Sequence, residues 1–170
     1  MRIIIKAFHE LTAEELYQIL KLRADVFVVE QECIYPDCDG KDRSAYHLYV
    51  EKNGIIQGYL RILEKGQTFD TVAIGRVAVR PEYRGIGLAR HMMKKALVFA
   101  VDYLHERVVK IAAQEYLMEF YVSLGFEPIS EPYLEDGIPH VDMEYRWLSS
   151  SGVSPAHEDS SVSVGNFEIL

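Results

Sequence analysis

The run Arg84-Gly85-Ile86-Gly87-Leu88-Ala89 carries the strongest chemical signal in the sequence. It follows a β-branched strand pattern that ends at Val79, is punctuated by Pro81, and opens an amphipathic helix. A helix start presents unpaired N–H groups and the positive end of the helix dipole, an arrangement suited to a diphosphate. Gly85 and Gly87 keep Cβ atoms out of the way of approaching phosphate oxygens, and Arg84 adds a forked cation. The run is neither a Walker loop nor the dinucleotide G-x-G-x-x-G pattern. The plainer reading is a tight strand-to-helix turn; the strand, proline and helix around it favour the phosphate cradle.

Two other segments concentrate groups that accept protons. Glu30, Glu32, Asp37, Asp39 and Asp42 crowd one irregular stretch, and Glu135, Asp136 and His140 another. Together they are able to bind a cationic acceptor and remove its proton, with Glu30 and His140 the leading candidates for a base. The competing reading is a solvated acidic surface. Arg23 and Arg76 sit in apolar contexts, where a buried guanidinium needs carboxylate partners. The acidic stretch supplies such partners. The sharper alternative puts an arginine in an acceptor pocket, gripping a carboxylate.

The elements that must position these groups follow from pattern. Arg2 to Phe8 reads as a strand. Thr12 and Glu15 form a capping box flanked by Leu11 and Leu16 at staple positions, starting a helix whose inner face is Leu16, Ile19, Leu20, Arg23, Val26 and Phe27. Glu30 to Arg43 reads as a loop, and Tyr46–Glu51 and Ile55–Leu63 as a hairpin joined through Asn53-Gly54. Val72–Val79 is a strand and Gly87–Leu104 a long helix with Arg90, His91, Lys94 and Lys95 facing water. Val108–Ala113 is a strand, Gln114–Leu124 a helix, and Phe126–Ile129 and His140–Trp147 are strands around a turn-rich loop, Pro132 to Pro139. The order predicts an α/β fold with a mixed, mostly antiparallel central sheet flanked by helices.

The motifs are similar to those of the GNAT superfamily of N-acetyltransferases. "RGIGLA" fits its R/Q-x-x-G-x-G/A signature, and "VAVRPEY" resembles the strand end before it. Across residues 1–148 the layout matches a GNAT domain, and residues 149–170 form a Ser- and Gly-rich, flexible C-terminal extension. The resemblance implies acetyl-coenzyme A as co-substrate, with Val77-Ala78-Val79 meeting the pantetheine arm through the amides of Val77 and Val79. It implies that amides of Gly85, Ile86, Gly87, Leu88 and Ala89 take the pyrophosphate beside Arg84. "AAQEYLMEFYVSLGF" looks like the family's N-x-x-A-x-x-F-Y segment, with Gln114 in place of Asn and Tyr121 where a Tyr commonly protonates departing coenzyme A. A helix over this segment would put Gln114 and Tyr121 on nearly one face. The alternative for Tyr121 is a core aromatic. Within the superfamily, "LRADVFVVEQECIYPDCDGKD", "GRVAV" and "SEPYLEDGIPHVDM" resemble the ElaA-type proteins.

The implied reaction is acetyl transfer to a primary amine of a small molecule or peptide. Two rivals stand beside it. "R-x-x-x-F" and "D-x-D-x-x-D" between Arg23 and Asp42, with Phe27 and Arg61, also resemble acyl-homoserine-lactone synthases, which use carrier-bound acyl groups and S-adenosylmethionine. The intact phosphate loop and the lack of a basic docking patch argue for coenzyme A itself. The third reading is a non-catalytic acyl-CoA sensor on the same fold.

Composition bounds the rest. The chain has 170 residues, with 26 acidic against 18 basic and a net charge of -8. That balance disfavours nucleic acid as a partner. Ile3 to Ile5 is too short for a signal sequence or membrane span. Cys33 and Cys38 are read as free thiols of a cytoplasmic protein, with a disulfide open by spacing, and no metal site is expected. A homodimer through the last strand and the tail is left open.

Overall fold

The computed structural model describes residues 1–147 and the short strand 167–168. The described strands are β1 (Arg2–Ala7), β2 (Ala45–Lys52), β3 (Ile55–Leu63), β4 (Val72–Val79), β5 (Val108–Gln114), β6 (Glu127–Pro128), β7 (Tyr133–Glu135), β8 (Ile138–Arg146) and β9 (Phe167–Glu168). They form one sheet in the order β6-β8-β5-β4-β3-β2-β1-β9, with β7 hairpinned onto β8. Every pairing is antiparallel except β4 with β5. The helices are α1 (Ala13–Arg23), α2 (Leu88–Asp102) and the short α3 (Met118–Val122).

The sheet is apolar on both faces, which explains the unbroken Ile3-Ile4-Ile5. Ile3 and Ile5 pack with Leu48, Leu60, Met92 and Ala96 on the α2 side, and Ile4 packs with Ile19, Leu22, Tyr49 and Tyr59 on the α1 side. Strand alternation sends neighbours to opposite faces, so a central strand covered twice must be apolar throughout.

Thr12 caps α1 as the sequence predicts: its side chain accepts from the Glu15 amide and Glu15 reaches back to the Thr12 amide. The inner face is Ile19, Leu22, Arg23 and Val26; Leu22 replaces the expected Leu16 and Leu20, which are only half-buried. Beyond Arg23 the chain continues as a π-helix through Glu30. Its wider turns extend helical structure to Glu30, where the acidic loop was expected to begin.

Three expectations are corrected. Gln114 is the last residue of β5 rather than the first of a helix; it pairs with His140 in the β5/β8 ladder. A 3₁₀ turn at Glu115–Leu117 then leads into α3, so a helical face shared by Gln114 and Tyr121 does not exist. The loop Pro132 to Pro139 contains a strand, β7, turned by Asp136-Gly137 with both φ values positive. Of the residues expected to face water on α2, Lys94 is exposed, whereas His91 carries a buried Nε2 with no partner among the described residues and Arg90 lies over Phe120 and bonds Ser123.

Most of the proposed extension 149–170 lies outside the described residues. Phe167–Glu168 pairs with Ile3 and Arg2 of β1. Among the described residues no helix is long and apolar enough to cross a membrane, and none of their His, Cys, Asp and Glu groups form a metal-holding cluster.

Candidate active site

The parallel pair β4 and β5 meets only at Val72–Val109 and Ala73–Lys110; beyond these residues the strands pair no further. The gap leaves main-chain groups of β4 without a sheet partner on one side. Arg80 N donates to the Gln57 carbonyl of β3 at 2.9 Å. By strand alternation the amides of Val79 and Val77 point the other way, into the gap. Ala78, buried between β3 and α1, points its amide back to β3.

At the C-terminal end of β4 lies a cavity of about 340 Å³ lined by Val79, Tyr83, Arg84, Gly85, Gly87, Leu88, Ala89, Arg90 and Phe120. Gly85 and Gly87 have φ of 76° and 84°, and a Cβ on either would meet nothing within 4 Å. Their requirement is conformational, since side-chain-bearing residues rarely adopt this region. Gly87 is the N-cap of α2 and supplies no side-chain cap, and the first turn carries no acidic residue. The amides of Leu88, Ala89 and Arg90 therefore lack intrahelical partners. Ile86 is exposed at the tip. This donor set fits a diphosphate by geometry and by charge.

Arg84 is already engaged. Its Nη1 and Nη2 donate to the two Glu30 carboxylate oxygens at 2.7 Å each, and its Nε donates to the Val79 carbonyl at 2.9 Å. The bond from Arg84 holds the Glu30 carboxyl below its ordinary range, and the same bond raises the Arg84 guanidinium. Glu30 thus sits beside the phosphate cradle and does not line the larger cavity.

That larger cavity, about 460 Å³, is lined from both sides of the gap, by Ala73 to Val77 of β4 and by Ile111, Ala112 and Gln114 of β5. Val77, Gln114, Gln31, Tyr35 and Tyr121 line it, with Arg61 and Arg76 on the β3–β4 side of the gap and Glu135, Asp136 and His140 on the side of β7 and β8. His140 Nδ1–H donates to the Ile138 carbonyl at 2.8 Å. Because a carbonyl only accepts, this fixes the tautomer of the neutral ring, in which Nε2 carries the lone pair. Tyr121 is 7% exposed, and its hydroxyl has no hydrogen-bond partner among the described residues. Burial, with a smaller contribution from Tyr116, pushes its phenol up to about 12, so it remains protonated at neutral pH.

Gln114 and Gln31 exchange two amide hydrogen bonds, at 3.1 and 3.2 Å, across the mouth between β5 and the end of the π-helix. Nothing in the sequence pointed to Gln31, which lies 83 positions away. The acidic loop is a structural network. Arg23, fully buried, donates to Asp37 at 2.8 Å and Asp42 at 2.7 Å. Arg61 donates to Asp39 at 2.7 and 2.8 Å and to Asp42 at 2.8 Å, and Arg76 to Asp37 at 2.7 Å. Desolvation raises the Asp39 and Asp42 carboxyls, but their arginine hydrogen bonds outweigh it and hold both well below the ordinary range. Behind them His47, made less basic by burial, donates from Nε2 to the Asp42 carbonyl and accepts from the Tyr59 hydroxyl at 2.8 Å. Glu32 is exposed, with φ of 51°. Both cysteines are free thiols, Cys33 against the Asp136 carbonyl at 3.6 Å.

A split between parallel strands, with an uncapped glycine-lined helix start at its end, is the architecture of GNAT enzymes. The GNAT acetyltransferase domain model matches residues 10–147, and the chain belongs to that family. It is of the ElaA type. Protein ElaA of Escherichia coli is 41% identical over 136 residues, covering 79% of this chain and 89% of that protein. A UPF0039 protein of Schizosaccharomyces pombe is also 41% identical, over 145 residues, covering 84% and 95%. The crystal structure of Escherichia coli ElaA superposes with a TM-score of 0.79 at 37% identity, covering 86% of this chain and all of that one. An acyl-CoA N-acyltransferase from Pseudomonas aeruginosa gives 0.79 at 38%, covering 85% and 99%. A CoA-dependent acyl-homoserine lactone synthase shares the fold at TM-score 0.74 and 18% identity, covering 85% of this chain and 82% of that one.

Proposed function

We propose that the protein transfers the acetyl group of acetyl-coenzyme A to a primary amine by direct attack on the thioester. The observation that carries this reading is the placement of two cavities along the open edge of β4, one lined by Val79 and the other by Val77. Anion-binding amides lie at one end, and a neutral phenol and an imidazole with a free Nε2 line the space at the other.

In this reading the diphosphate rests on the amides of Gly85 to Ala89 and exchanges with Glu30 for Arg84. The pantetheine arm runs along Val77-Ala78-Val79, bonding the inward amides of Val77 and Val79. An alkylammonium with a pKa of ~10 is almost wholly charged at neutral pH, so the acceptor must lose a proton before it attacks. His140 Nε2 takes that proton, directly or through one water, while Glu135 and Asp136 attract the cation. The amine nitrogen then bonds to the carbonyl carbon and loses its second proton to solvent, and the C–S bond breaks. A β4 amide steadies the developing oxyanion. The Tyr121 hydroxyl donates its proton to the departing sulfur and recovers one from solvent. Gln114, opposite His140 and bonded to Gln31, sets the cavity's width. Glu30 is assigned to the Arg84 pair rather than to the base, because its oxygens are bonded there and it is outside the acceptor cavity.

The test is release of free thiol from acetyl-coenzyme A over a panel of amines. Release that requires an amine and yields the N-acetyl product supports transfer. Binding without release over the whole panel favours an acyl-CoA sensor.

A further inference from the structure

Arg76 stands in the middle of β4 with φ of 55°, a region that residues with a side chain rarely adopt. It falls at the bulge where the β3–β4 register shifts between Tyr59 and Arg61. Bulges re-aim side chains, and this one turns a guanidinium to the wall of the larger cavity.

The head group is locked. Nε donates to Asp37 Oδ1 at 2.7 Å, Nη2 donates to the Asp37 carbonyl at 3.3 Å, and the guanidinium carbon lies 5.4 Å from the centre of the Tyr35 ring. Nη1 has no hydrogen-bond partner among the described residues, and the side chain is 24% exposed. Arg61, 4% exposed and lining the same cavity, is held by Asp39 and Asp42 through its Nη atoms, and its buried Nε has no partner among the described residues. Three aspartates already offset the charges of Arg23, Arg61 and Arg76. What remains is a fixed, directional donor edge facing a cavity whose other flank carries His140, Glu135 and Asp136.

A cavity with a preoriented guanidinium edge on one flank and proton acceptors on the other is complementary to a molecule with both a carboxylate and an amine. We propose that the acceptor is an amino acid or a similar carboxylate-bearing amine, held by its carboxylate on Arg76 Nη1 while its amine faces His140. Asp37 and Tyr35 act as positioning residues for that arginine. A polyamine has no carboxylate to accept from that donor edge. The inference rests on the transferase reading above and deepens it.

The experiment measures thiol release from acetyl-coenzyme A with amino acids of increasing amine–carboxylate spacing, their methyl esters, and spermidine. It compares the natural protein with Arg76→Gln and Arg76→Lys. In the natural protein kcat/KM for the acids should exceed that for their esters by roughly tenfold or more, the worth of a charge-assisted hydrogen bond. That ratio should fall to near one in Arg76→Gln and lie between in Arg76→Lys, which keeps charge but not the fork. The ratio compares two acceptors on the same protein, so partial loss of folding lowers both rates and leaves it intact. Equal rates on acids and esters, a preference for spermidine, or a ratio that survives in Arg76→Gln overturns the proposal. Thiol release with no acceptor, in a protein that binds acetyl-coenzyme A, overturns the transfer reading itself and this inference with it.

Discussion

Arg84 and Glu30 form a two-pronged ion pair, 2.7 Å at each prong, across the edge of the phosphate cradle. The residue expected to meet pyrophosphate and a residue expected to act as base therefore hold each other in the unliganded chain. Both side chains are more than 40% exposed, so the pair is weak, and under the proposed binding mode a dianionic diphosphate would displace the carboxylate. Glu30→Gln should tighten acetyl-coenzyme A binding by roughly two- to fivefold, the scale of an exposed ion pair. Isothermal calorimetry checks this. A hundredfold loss of turnover with unaltered binding would return Glu30 to the role of base.

Tyr121 and His140 should separate in steady-state kinetics. Tyr121→Phe keeps the ring that packs against Phe120 and Phe126 and removes only the hydroxyl. Because a thiol of pKa ~8.5 leaves fairly well unaided, kcat should drop by about 10- to 100-fold with KM for acetyl-coenzyme A little changed. His140→Gln removes proton acceptance and should cost about 10²- to 10⁴-fold in kcat/KM. Full activity in either variant would remove that residue from the mechanism.

The arginine–aspartate network should dominate the response to core mutation. Asp42 accepts from both Arg23 and Arg61. Asp42→Asn leaves a fully buried guanidinium short of its counter-charge, a change that costs about 3–5 kcal/mol. Urea unfolding should show a lower midpoint at an unchanged slope.

Stability should also fall in acid, with a defined sign. Desolvation raises the Glu15 carboxyl, but bonds from Tyr49, the Thr12 amide and Lys6 overcome it, lowering it from 4.5 to about 2. A group with a depressed folded pKa stabilises above its unfolded value and loses that contribution as pH falls through the folded one. Asp39 and Asp42 shift the same way. Thermal midpoints should therefore decline between about pH 4.5 and 2, less steeply in Glu15→Gln than in the natural protein. Parallel curves would remove Glu15 from that transition.

What was legible in the sequence was what local chemistry specifies. The Thr12 capping box, the Asn53-Gly54 hairpin, the bounds of β4 and the Gly85/Gly87 bend each depend on residues within a turn of one another. Gln114 was misread because a single apolar run serves equally as strand end or helix start, and the ladder to His140 decided it. β7 was hidden because it is three residues long and exposed throughout, with no core-facing alternation to mark it. The partners of Arg23 and Arg76 were expected as a class. Their pairing, and the Gln31–Gln114 bridge, depend on sheet register and on a bulge that no local pattern encodes.

Titration calorimetry of acetyl-coenzyme A into the full chain and into Gly87→Val most directly probes the claim that main-chain hydrogens at the start of α2 hold the diphosphate. Valine at a φ of 84° is strained and puts a branched side chain into the open space of the proposed cradle. One-to-one binding in the natural protein, weakened tenfold or more in Gly87→Val while circular dichroism remains native, is the expected result. No heat in the natural protein, or equal affinity in the two, would contradict it.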